Sequence, residues 1–264
     1  MSREPNTADA GASRRPRRLA RAANCLLAAS ALAWGVSTLP NLTDPTVSRV
    51  ARQIAAGESY DAPLLRRIVA ANLPAAQHQC EPKALRELLV LQLSAADMTV
   101  RGTDLTQADA DVDAVQRMSR ILMGCAPTES LGWLGAFWAG ARQDGLTART
   151  VALLGQSYRL APHEVWLQLM RVPLAFRAFD ALPTALTDAA VQDFNDVFHD
   201  RLYPSAAALY VKSPASAHGR LLDLTCDVSE REKLAFWYLV RDAGGKIQHR
   251  CYPADDRPRY LLEN

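Results

Sequence analysis

From about residue 43 onward, apolar positions in this chain recur three and four residues apart. Leu85, Leu88, Leu89 and Leu93 fall at i, i+3, i+4 and i+8, and Val115, Met118, Ile121 and Leu122 repeat the pattern, as do Val165, Leu169 and Val172. That spacing puts each group on one face of an α-helix. Sustained β-branched alternation is absent, so the expected fold class is all-α. A further helix is expected from Thr187, with Asp188 in its first turn and Val191, Phe194, Val197, Phe198 and Leu202 on one face. Tyr203-Pro204 and Ser213-Pro214 mark breaks. Ser229 followed by Glu232 is a capping box that starts a helix through Arg241, closed by Gly244-Gly245. The segment Cys251–Asn264, with Pro253 and Pro258, reads as an irregular strap. About 220 residues of this kind suffice to bury a sizeable core.

The N-terminus has a different pattern. Ala22–Leu39 runs 18 residues without a charge and ends at Pro40, and six arginines precede it (Arg3, Arg14, Arg15, Arg17, Arg18, Arg21), with none again until Arg49. A basic flank before an apolar run keeps the flank in the cytoplasm and exports the chain beyond the run. The run is near the short end of the roughly 17–25 residues that span a bilayer. It reads as a transmembrane signal anchor. A cleaved signal peptide is the rival, since Ala31-Leu32-Ala33 has the small-x-small form of a cleavage site; a buried helix after a disordered tail is the third reading. Cys25 opens the run instead of coming after it, which argues against a lipoprotein cysteine, and Pro16 spoils the twin-arginine hint at Arg14-Arg15.

Charge and cysteine usage fit export. Met1–Arg21 holds six of the 30 basic and two of the 28 acidic residues, leaving the body with 24 against 26. A nearly neutral body offers no excess for binding nucleic acid. Beyond Cys25 four cysteines remain: Cys80, Cys125, Cys226 and Cys251. In an oxidising compartment an even number suggests two disulfides. Three pairings exist; Cys80–Cys125 and Cys226–Cys251 are favoured, because each pair sits at close ends of neighbouring predicted helices. Sheltered free thiols are the alternative use. No cysteine or histidine pair has a zinc spacing, so no metal residue is assigned.

A search for internal repeats finds equal intervals. Gly57 is followed by Pro74, and Gly145 by Pro162, each pair 17 residues apart. Each interval holds one expected helix, Ala62–Leu73 or Thr147–Leu160, and each glycine comes after a helical stretch of about twelve residues by periodicity. Pro127 precedes Pro162 by 35, and Trp133 and Trp166 follow soon after. The run from Ala136 through Gly145 to Pro162 resembles a tetratricopeptide repeat (TPR), a 34-residue helical hairpin with glycine at the inner turn and proline closing the second helix. Gly57, Pro74, Gly145 and Pro162 match those positions. The copies are degenerate: the small residue of the second helix is Ala62 in one and Thr150 in the other, and Ala110 stands where a turn glycine belongs. The resemblance covers roughly 43–182. It implies stacked hairpins with a concave surface for peptides or partner proteins. Phrases such as Ser157-Tyr158-Arg159-Leu160-Ala161-Pro162 also resemble membrane-anchored repeat proteins of bacterial envelope polysaccharide export.

Candidate chemistry is sparse. Asp109-x-Asp111-x-Asp113, with Asp104 nearby, begins like a calcium loop, but Ala114 and Arg120 occupy the positions that need glycine and glutamate. The acidic group instead suits the N-terminus of a helix over Val112–Gly124. Trp133, Phe137 and Trp138 form either a ligand wall or, as hairpin repeats need, packing between helices. Phe236-Trp237-Tyr238 must present a ring to each side of its helix, and is the preferred partner contact. Nucleophile elbows, phosphate loops and dinucleotide fingerprints are absent, and His78, His163, His199, His218 and His249 are scattered. No catalytic or cofactor-binding residue is assigned, and no cofactor.

The expected organisation is a basic cytoplasmic tail (1–21), a transmembrane anchor (22–40), TPR-like helical repeats (43–182) and a C-terminal helical module with a strap (183–264). The expected protein is a single-pass scaffold of the bacterial inner membrane with a periplasmic body. It would bind protein partners in the cell envelope and no nucleic acid, as an accessory of polysaccharide assembly or export. A cleaved periplasmic binder of peptides or glycans is the alternative, and an enzyme without a recognisable motif the third.

Overall fold

The computed structural model describes residues 14–38, 45–55 and 57–253. Among these are twelve α-helices and no strand. They are α1 (Arg14–Thr38), α2 (Pro45–Ala55), α3 (Ala62–Gln79), α4 (Pro82–Thr99), α5 (Leu105–Cys125) and α6 (Ser130–Gln143). Next come α7 (Ala148–Leu160), α8 (Val165–Arg177), α9 (Thr184–His199), α10 (Tyr203–Lys212), α11 (Ala215–Asp223) and α12 (Glu230–Asp242). The all-α class read from periodicity is the class observed.

The chain forms two units, the first ending at Pro45. Within it, α1 begins among the arginines and exposes Leu26, Leu27, Leu32 and Trp34, each about 70% accessible. No described helix is long and apolar enough to cross a membrane. The first two turns of α1 go to Arg14, Arg15, Arg17, Arg18 and Arg21, and Asn24 and Ser30 interrupt the remainder. Leu39 and the stop at Pro40 lie outside the described residues, as do the tail before Arg14 and most of the strap, 254–264.

From Thr46 the chain is a single compact unit, so the expected division at 182/183 does not separate two bodies. The helices stack in two layers. Helices α4, α6, α8 and α10 pack side by side; in the other layer α5 packs on α4 and α6, α7 on α6 and α9, and α9 on α8 and α10. Ser48 Oγ donates to Glu87 Oε2 at 2.7 Å, placing α2 against α4. The core runs without interruption from Val47 to Tyr252. Its C-terminal end is aromatic: Phe236 meets Phe194, Phe198 and Tyr210 edge to face, with centroids 5.1–6.5 Å apart.

Local chemistry explains most boundaries. Gly57 (φ +95°) comes just after α2, and its neighbour Glu58 N–H reaches back to Gln53 O. Gly145 (φ +76°) stands between α6 and α7. Both turn positions use left-handed backbone that glycine adopts without a Cβ penalty. Thr147 caps α7 reciprocally with Thr150, and Ser229 caps α12 with Glu232. Gly244 (φ +81°) ends α12, where Gly245 N–H bonds Val240 O.

Three expectations need correction. Pro162 lies beyond the end of α7, but Pro74 lies inside α3, which continues to Gln79. A proline removes one helical bond, a cost of about 3 kcal/mol in an interior. Beyond it the helix is retained by buried Ala76, by a left-handed cap at Cys80 whose neighbour Glu81 N–H bonds Ala76 O, and by the bridge from Cys80 to Cys125. The helix expected from Val112 starts at Leu105, because Asp104 Oδ1 caps it by accepting from Gln107 N–H. The helix expected from Thr187 starts at Thr184, directly after Pro183.

Two buried ionic nodes cross the layers. Arg171, fully inaccessible, donates through Nε and Nη2 to Asp193 at 2.7 and 2.9 Å. Its other donors reach Ser157 O and Ala161 O, and its guanidinium lies 4.0 Å over the Tyr158 ring. Burial raises the Asp193 carboxyl above its ordinary value, against the pull of Arg171. The folded state therefore holds that proton more tightly, and this group's contribution to stability falls as pH rises above 3.8. At the other end Asp111 accepts from Arg66, Gln92 and Gln107, tying α3 and α4 to α5. Replacing Arg171 by alanine strands the Asp193 charge and should cost about 3–5 kcal/mol in urea unfolding. The double change Arg171→Met, Asp193→Leu should recover most of that loss.

Candidate interaction groove

Alternate helices of one layer border a cavity lined by apolar side chains, four of which (Val90, Leu93, Leu134, Trp138) belong to the core. On α4, Val90, Leu93, Ser94 and Asp97 succeed each other at helical spacing, one face round from Leu85, Leu88 and Leu89, and Arg101 follows in the turn after the helix. Leu134 and Trp138 of α6 stand beside them, then Leu169, Met170, Pro173 and Leu174 of α8. Ile54 and Lys212 complete the lining. The result is a cavity of about 480 Å³, within the roughly 300–1,000 Å³ range of ligand sites. A smaller recess of about 220 Å³ shares Val90 and lies under Trp166, with Arg86 5.6 Å over that ring.

The groove is apolar below and basic at one end. Asp97 is the only carboxylate among its lining residues, and three arginines converge on it. Arg101 bonds Oδ2, Arg177 Nη1 donates to Oδ1 at 3.4 Å, and Arg142 Nη2 is 3.9 Å away. Arg142 is stacked 3.8 Å over Trp138. Burial lowers the Arg142 pKa from its ordinary value; Asp97 opposes that shift, while Arg177 and Arg101 reinforce it. The lining itself holds three cations, Arg101, Arg177 and Lys212, against the one carboxylate. Such a site suits a guest with an apolar body and negative charge.

The residues expected from sequence are dispersed around this feature. Trp138 and Phe137 are buried as packing residues, Trp138 flooring the groove, whereas Trp133 is half-buried and donates Nε1–H to Pro127 O at 2.8 Å. Phe236 is fully buried in the aromatic core, so it is not a partner contact: the helix turns that position toward Phe194 and Phe198. Trp237 is half-buried and Tyr238 is 47% exposed, with Arg241 lying over both rings. Gly57 and Gly145 are turn residues away from the groove lining, as is Pro162. Asp109, Asp111 and Asp113 sit on helix α5 instead of a loop; Asp111 is buried against Arg66, and Asp113 accepts from Gln143. The groove itself was missed. Its signal is α4, apolar on more than one face, which marks a helix covered from both sides.

Both favoured disulfides are present: Cys80–Cys125 joins the ends of α3 and α5, and Cys226–Cys251 ties the segment after α12 to the turn after α11. Cys226, His249 and Cys251 come within 4.8 Å of one another. With both sulfurs in a bridge they are not available as thiolate ligands for a metal. No protein-family model matches the chain, and neither a curated protein nor a solved structure is significantly similar to it.

The Cys80–Cys125 bridge closes a separation of 45 residues, and loop-closure arithmetic gives about 4 kcal/mol. Changing both cysteines to serine should lower unfolding free energy by that order and fray α3 beyond Pro74. Hydrogen exchange at Ala75–Gln79 reads the local part, and chemical denaturation the global part.

Proposed function

We propose that this protein is a membrane-anchored helical scaffold whose groove holds an apolar, acidic segment of a partner protein. The groove carries the reading: its floor is hydrophobic, and its charged lining is basic in excess. Two layers of alternating helices are the arrangement that the TPR likeness implies, and such stacks present groove-forming faces to peptides. The setting in envelope polysaccharide assembly rests on sequence resemblance alone.

Support for anchoring comes from α1. Leu26, Leu27 and Leu32 lie at about 0°, 100° and 240° around its axis, and all are exposed. Leucines exposed on three sides of the helix give it apolar surface that lipid can cover. Ala22–Thr38 is about 26 Å long, a little under the roughly 30 Å hydrocarbon core. Arg21, with its long stem, is suited to reach the headgroups. Two disulfides in the body agree with an oxidising compartment. The rival, a cleaved periplasmic binder, rests on Ala31-Leu32-Ala33, and N-terminal sequencing of the exported protein separates the two.

Two measurements test the proposal. A synthetic peptide of leucine and glutamate should bind the body at least ten times more tightly than its leucine and lysine counterpart. Arg177→Glu with Lys212→Glu should abolish or invert that preference; equal binding of both peptides would refute the groove reading. For topology, an alkaline phosphatase fusion after Asn264 should be active and a cytoplasmic reporter at the same place silent. The reverse pattern would refute export.

A further inference from the structure

We propose that Cys226–Cys251 is an exchangeable disulfide, a two-electron acceptor for dithiols, served by an Asp223–His249 pair beside its sulfurs. The cluster is assembled from two distant stretches. Helix α11 ends in Asp223, and the turn behind it carries Cys226. The chain returning after α12 brings His249 and Cys251 against that turn, and Tyr252 locks it there through a 2.6 Å hydrogen bond with Thr225. His249 Nδ1 lies 3.1 Å from Cys251 Sγ and 3.7 Å from Cys226 Sγ. Its Nε2 lies 3.2 Å from Asp223 Oδ1, and its side chain is only 13% exposed. Among the described residues, Cys80 and Cys125 belong to no such cluster of histidine, cysteine and carboxylate groups.

The geometry prepares the two sulfurs for different fates. Asp223 Oδ1 accepts a hydrogen bond from Nε2–H, which leaves the Nδ1 lone pair facing the two sulfurs. A thiolate of an incoming dithiol attacks Cys226 Sγ. The Sγ–Sγ bond breaks, its electron pair passes to Cys251 Sγ, and the proton that the attacking thiol gave up to His249 Nδ1 as it became a thiolate is now offered to the Cys251 sulfur as a hydrogen bond. The donor's second thiol then loses its proton and attacks the donor sulfur of the mixed disulfide. Cys226 leaves as a thiolate and takes a proton from solvent. Protein disulfide and dithiol have become protein dithiol and donor disulfide, with two electrons transferred. Once reduced, the Cys226 thiol has Leu222 O as an acceptor, 3.3 Å from its sulfur.

The other ionisable groups on the packed elements do not compete for His249. Arg250 shares Asp223, at 3.2 Å from the same oxygen. Asp227 lies 3.9 Å from His199, and Tyr252, pushed up to about 12 by burial, stays neutral.

The test uses the purified full chain in dithiothreitol buffers, with alkylation mapped by mass spectrometry. Cys226–Cys251 should be half reduced at a dithiol-to-disulfide ratio at least tenfold lower than Cys80–Cys125 requires. After reduction, Cys251 should alkylate with a pH midpoint at least one unit below the ordinary thiol value of about 8.5, and Cys226 should not. His249→Gln should raise that midpoint by a unit or more and the required ratio about tenfold, while Cys80–Cys125 stays unchanged. If His249→Gln fails to fold, Asp223→Asn should produce smaller shifts in the same directions. Reduction of both bridges at one ratio, or a Cys251 midpoint indifferent to both substitutions, would overturn the proposal.

Discussion

Arg171 is the point on which the stack turns. A guanidinium has five N–H donors, and here they are engaged within a site closed to water: on Asp193, and on the carbonyls of Ser157 and Ala161. Those carbonyls belong to the last turn of α7 and its cap: Ser157 O also accepts from Ala161 N–H, whereas Ala161 O lies past the last helical bond. One side chain of α8 thus satisfies the end of α7 and holds α9 by its carboxylate. The desolvation of two charges is what makes the arrangement sensitive, because neither partner has anywhere else to turn. The opposite face of α8 carries Leu169, Pro173 and Arg177, so the same pair fixes one wall of the groove.

The groove's charge arises from the same economy of space. Asp97 is shared among Arg101, Arg142 and Arg177, so no cation there is fully neutralised. Stacking on Trp138 keeps Arg142 flat along the floor. A guest carboxylate would meet donors already oriented, with little side-chain freedom left to lose.

The features legible in the sequence are those that local physics decides. Leucines spaced along α4, the Ser229–Glu232 box and the glycines at 57 and 145 act within a few residues of themselves. The disulfides were legible because helix ends were. Pro74 was misread, since a proline's local cost says nothing of the cap at Cys80 and the bridge that retain the helix beyond it. Asp111 reads in sequence as one of a terminal cluster, yet its place is decided by Arg66, 45 residues away. Phe236 and the groove failed for the same reason. Which face of a helix is covered depends on partners that the periodicity of one segment cannot name.

The bridge between Cys80 and Cys125 has a topological effect beyond its closure entropy. It links the end of α3 to the end of α5, and α4 lies wholly inside the loop so formed. The turn at 101–104 between α4 and α5 is exposed and offers a natural place for a protease to cut. A single cut there opens the loop but releases no fragment, because both pieces remain joined through sulfur. The same ring hinders α4 from exchanging with its counterpart in a second copy. Damage at this exposed turn of the stack therefore leaves α4, one wall of the groove, covalently attached to the rest of the chain.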